Sequence, residues 1–155
     1  VQNVTPAAKQ GILTANATTP YVIAFNDLEE SGPLVLDVPP GPSAGLIDDM
    51  FQRAVKDFGV SGEDKGEGIS FIILAPGMDA PEGYDESKYT LVQNTTRDVF
   101  FGIRALQADP AEADAFLKKF RIYPYSEASN PPNMPFIVVD DNTPWGQWQQ
   151  HGMAY

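Results

Sequence analysis

Cysteine is absent from this 155-residue chain, which excludes disulfides, thiol nucleophiles and zinc-thiolate sites but leaves the redox compartment open. Histidine is almost absent. His151 is the only one, so a mononuclear zinc site lacks both its usual imidazoles and its thiolates. Long apolar runs are missing too: the longest, Phe71 to Ala75, is far short of the ~20 residues that cross a bilayer, so no membrane insertion is expected. Positive charge is scarce, with ten Lys and Arg against twenty-one Asp and Glu and a formal net charge of −11. A chain this acidic repels phosphate backbones and anionic membrane surfaces, and no nucleic acid partner is expected. The sequence starts at Val1 without an initiator Met or an apolar leader, which fits a mature, processed end or simply the first ordered residue.

Turn formers and aromatics are abundant. Thirteen Gly and fourteen Pro accompany nine Phe, six Tyr and two Trp, a composition that points to one β-rich globular domain rather than to disorder. The pattern along the chain is organised around Gly32 to Gly68. In its first strand, Pro33 to Val38, the side chains of Leu34, Leu36 and Val38 fall on one face and Val35 and Asp37 on the other. Pro39, Pro40, Gly41 and Pro42 then force a stiff corner, since proline donates nothing to a sheet ladder.

The next segment is ambiguous. Ile47, Met50, Phe51, Ala54, Val55 and Phe58 recur at helical spacing, and taken alone predict a helix over Leu46 to Phe58. A glycine-punctuated acidic loop follows to Gly68. Further strands are expected over Tyr21 to Phe25, Ile69 to Ala75 (apolar on both faces), Tyr89 to Thr95, Val99 to Leu106 and Phe136 to Val139. Asp109 to Phe120 predicts a helix: Asp109 caps, Pro110 suits the first position, Glu112 completes a capping box, and Ala113, Phe116, Leu117 and Phe120 form its apolar stripe. Arg121 to Pro124 reads as the exit from that helix. Asn-X-Thr triplets stand at Asn3, Asn16 and Asn94, as acceptors only in a glycosylating host.

Chemical motifs are few. Gly41-Pro-Ser43-Ala-Gly45 matches the nucleophile elbow of serine hydrolases, after a strand and before a possible helix, with His151 as the sole candidate base. The succession of alternating strands and helices which that fold requires is lacking. Asp48, Asp49, Asp57, Glu63 and Asp64 could offer oxygen ligands to calcium but lack EF-hand spacing, and no metal or cofactor is expected. Gly62 to Gly68 has acids where a phosphate loop needs Gly-Lys-Ser/Thr.

A series of short motifs, in order, resembles the exported proteins grouped as domain of unknown function 1254. They are Asn16-Ala-Thr-Thr-Pro-Tyr21, Gly32-Pro-Leu-Val35, Val38-Pro-Pro-Gly41 and Gly45-Leu-Ile-Asp-Asp49. Asp57-Phe-Gly59, Asp64-Lys-Gly66, Pro76-Gly77, a strand ending in Arg104 and Arg121-Ile-Tyr-Pro124 continue the series, so the resemblance spans roughly residues 11 to 140. Ile69 and Arg97 depart from it, and Ser43 belongs to none of its motifs. The resemblance implies a mainly β, jelly-roll-like β-sandwich, a companion β-rich domain, oligomers, and a secreted or periplasmic address, with no established reaction. It also implies extended structure around Asp49 to Arg53, against the helical spacing.

These readings combine into an N-terminal arm (1–19), a β-sandwich domain (20–140) with one helix at about 109–120, and a C-terminal aromatic tail (141–155). Trp145, Trp148 and Met153 have little core of their own within that tail and are expected at an interface with a companion domain or a homo-oligomer partner. The expected function is an exported binding or assembly module. The alternatives are an enzyme or ligand-binding protein with a pocket of Tyr21, Asp48, Asp49, Arg53 and Arg104, or a Ser43 hydrolase.

Overall fold

A computed structural model of the protein describes residues 2–4 and 19–139, with side chains from 19 to 137. Ten strands are present among them: β1 (Gln2–Val4), β2 (Tyr21–Asp27), β3 (Leu34–Val38), β4 (Ser43–Asp49), β5 (Ala54–Gly59), β6 (Ile69–Leu74), β7 (Tyr89–Gln93), β8 (Asp98–Ala105), β9 (Arg121–Pro124) and β10 (Ile137–Val139). A single-turn helix α1 (Leu28–Ser31), the helix α2 (Pro110–Leu117) and a 3-10 turn at Tyr125–Glu127 complete the elements.

The strands form a six-stranded sheet in the order β10-β1-β2-β8-β4-β5 and a four-stranded sheet in the order β7-β6-β3-β9. The pairings are antiparallel except β1 with β10 and β6 with β7. From β2 onward the chain crosses repeatedly between the sheets, and their inner faces share one core, which is the sandwich arrangement. Val22, Ala24, Ile47, Phe58, Val99, Phe101 and Ile103 from the larger sheet meet Leu34, Leu36, Val38, Phe71 and Ile73 from the smaller. Strand periodicity accounts for this: the odd residues of β8 and the even residues of β3 are the inward ones, as their alternation requires.

Gln2–Val4, at the start of the segment read as an arm, is a strand between β2 and β10. The helical spacing over 46–58 is overruled in favour of the extended reading. Two strands flank a turn at 50–53, so the extended structure lies on either side of Met50 to Arg53 and not through it. The reason is pairing: β4 makes a seven-residue register with β8, and Gly45 lets the Phe58 ring lie where a Cβ would meet it at 2.1 Å. Met50 and Phe51, which a helix would have buried, are 40% and 71% exposed.

The corner and the acidic loop interlock. Gly41 N–H donates to Gly66 O at 2.9 Å, and Gly59, at φ +78°, sits where a Cβ would be 2.3 Å from Ser43 O. α2 is capped by Asp109, whose Oδ1 accepts from the amides of Ala111 and Glu112 at 2.9 Å each. Its buried Ala113, Phe116 and Leu117 join the core together with Phe120 just beyond it. Arg121–Pro124 does more than leave the helix, since it pairs with β3 as an edge strand.

Candidate functional site

The outer face of the larger sheet carries the residues of interest. Register aligns three rows across β2, β8 and β4: Tyr21, Arg104 and Ala44; Ile23, Gly102 and Leu46; Phe25, Phe100 and Asp48. Across to β5, Asp57 extends the second row. The pleat that sends Val22, Phe101 and Ile47 into the core turns this set outward.

The five residues expected to form one pocket divide into two places. Tyr21 and Arg104 meet at one end, with the guanidinium 4.8 Å from the ring centroid. They border a shallow concavity of about 410 Å³, floored by Ala44 and Gly102 and walled by Ile23, Leu46 and Phe100. Asp48 stands at the other end, where it borders a second concavity of about 380 Å³ with Phe25, Met50, Gln52 and Phe100. Phe25 is 66% exposed, and its ring lies 5.0 Å from that of Phe100 in a tilted pair.

Asp49 and Arg53 serve the turn between β4 and β5. Asp49, 2% exposed, accepts from the amides of Phe51 at 2.8 Å and Arg53 at 3.1 Å through Oδ1. Its Oδ2 accepts from Arg53 Nε at 2.8 Å and from the Thr95 hydroxyl. Desolvation pushes its pKa up, but these donors together outweigh that and lower it to about 2. A carboxylate so held stays ionised near neutrality, so it is a turn lock and not a general acid. The Arg53 guanidinium, engaged with Asp49, also covers the Phe51 ring at 5.3 Å.

Ser43 is not on an elbow. It is the first residue of β4, fully buried, with its Oγ lacking a hydrogen-bond partner. Its carbonyl accepts from Val60 N–H at 2.8 Å, and its small side chain fits beneath Gly59. A nucleophile must present its oxygen to substrate, and this one faces the core. His151, Trp145, Trp148 and Met153 lie outside the described residues.

The sequence reading passed over a polar cluster on the outer face of the smaller sheet. Asp37 accepts from Ser70 Oγ at 2.6 Å and from Tyr123 Oη at 2.8 Å. Burial, then the Asp37 charge, raises the Tyr123 pKa and keeps the phenol protonated. The outward Phe25, Phe100 and Gly102 were missed as well. Their signal was the second apolar alternation in β2 and β8, which reads equally well as a strand buried on both sides. Among the described residues no three His, Asp or Glu side chains gather to hold a metal, and no helix is long and apolar enough to cross a membrane.

A family model described as "Protein of unknown function (DUF1254)" matches residues 1–124. The structure is similar to the crystal structure of the VPA0106 protein from Vibrio parahaemolyticus, with a TM-score of 0.62 and 18% sequence identity. That likeness covers 83% of this chain and 33% of the other, so the chain spans about a third of that protein's length. At such identity the likeness speaks for the fold alone. No curated protein matches the chain.

Proposed function

The chain belongs to the DUF1254 family, and from that premise we propose that it is an exported binding or assembly module that docks on a companion β-rich domain. The observation that carries the proposal is the aromatic end of the outer face. Phe25 and Met50 are exposed there beside Phe100, Phe51 is exposed in the adjoining turn, and Asp48 and Gln52 supply polar groups at the border. Contiguous exposed aromatics bordered by polar groups are the usual composition of a contact surface. The turn lock holds the Phe51 backbone in place, so little ordering entropy is lost on docking. The companion is the domain the family resemblance implies, consistent with this chain spanning only part of its structural neighbour. Trp145, Trp148 and Met153 would extend the contact from the C-terminal segment.

The test is sedimentation velocity of this chain mixed with the segment that follows it in longer family members. The wild type is expected to form a complex, and Phe25→Ser with Phe51→Ser to weaken it by about tenfold or more, as loss of two buried aromatics at an interface does. Independent sedimentation of the wild-type chain and that segment would refute the reading.

A further inference from the structure

The other end of the same face carries a different feature. Of the four arginines, three donate to oxygen: Arg53 to Asp49, Arg97 to Glu29, and Arg121 to the carbonyls of Pro131 and Pro132. Arg104 has no such acceptor among the described residues. Stacking on Tyr21 holds its guanidinium in place, which leaves its donor edges free at the head of the 410 Å³ trough. The floor of that trough exists because position 102, at the centre of β8, is glycine. A Cβ there would meet only the Phe100 ring, at 3.1 Å, so packing does not demand the glycine. Neither does a left-handed backbone, because Gly102 is outside the positive-φ set.

We propose that this trough binds a small monocarboxylate carried on a flat apolar body, such as an aromatic acid. Guanidinium and carboxylate pair through two parallel hydrogen bonds, and an arginine pre-oriented on a ring loses little freedom in forming them. Ile23, Leu46 and Phe100 flank a slot open enough for one ring. Asp57, on the same face, repels a second acid group, which selects monoacids over diacids. Arg104 and Gly102 lie apart from the Phe25 end proposed for docking, and Phe100 alone borders both.

Titration of the isotope-labelled chain with benzoate and with its neutral amide, followed by amide chemical shifts, tests it. Benzoate is expected to shift Ala44, Gly102 and Arg104 saturably and to bind about tenfold more tightly than benzamide, the worth of one charge-assisted pair. Arg104→Gln, with an unchanged thermal midpoint, is expected to equalise acid and amide, and Gly102→Val to remove both. Arg104→Lys keeps the charge without the stacked fork and is expected to fall between wild type and Arg104→Gln. Equal affinity of the wild type for benzoate and benzamide, shifts centred elsewhere, or no saturable shift would each overturn the proposal, whatever the variants do.

Discussion

The Asp49 carboxylate accepts from four groups at once, and its ionisation makes the β4–β5 turn sensitive to acid. Its folded pKa, about 2, lies below the ordinary 3.8. The stabilisation is therefore complete above pH 3.8 and is lost as pH falls towards 2. Asp49→Asn keeps an acceptor for the turn amides but loses the charge facing Arg53. Its thermal midpoint is expected to fall below that of the wild type at pH 7, with the gap closing near pH 2. A gap that stays constant across that range would assign the effect to shape instead of charge. At Gly45 the cause is steric: Gly45→Ala drives a methyl into the Phe58 ring and towards Gly102 O, which is expected to cost about 1–3 kcal/mol in denaturant unfolding. Asn94, in the third sequon, is 1% exposed, and its Nδ2 donates to the carbonyls of Thr96 and Asp98. An amide engaged in this way offers no acceptor for a glycan on the folded chain.

Among the elements, α2 was the most legible, because its cap, first-turn proline and apolar stripe all agree. Asp109→Ala is expected to lower stability by about 1 kcal/mol. That is roughly 2–4 °C in thermal midpoint for a domain of this size, with no change in association, since the helix packs on the core and not on the outer face. β3 and β8 were equally readable from their alternation, and β6 from its short apolar run between turn formers. The 46–58 segment was not. Its helical spacing arose from Ile47 on one strand, Met50 and Phe51 in a turn, and Phe58 on the next strand, and only pairing with β8 distinguishes the cases. β9 was hidden for a similar reason, as four residues have little period of their own until β3 supplies a partner. The five expected pocket residues divide because register with β8 puts Tyr21 and Arg104 at one end of the sheet face, and Asp48, Asp49 and Arg53 at the other.

At the scale of the whole molecule, both faces of the larger sheet are apolar at its centre. The inner face packs against the smaller sheet, and the outer face offers aromatic side chains at one end and the Arg104 trough at the other. The net charge of −11 opposes association of like copies at low ionic strength, which is why the proposed partner is a distinct companion domain and not a second copy. The most direct measurement is hydroxyl-radical footprinting of Phe25, Met50 and Phe51 in this chain alone and mixed with the segment that follows it in longer family members, with Leu91 of the smaller sheet, 37% exposed, as the internal reference. Several-fold slower oxidation of the three in the mixture, with Leu91 unchanged, is the expected result; equal rates in both would show that nothing docks on this face.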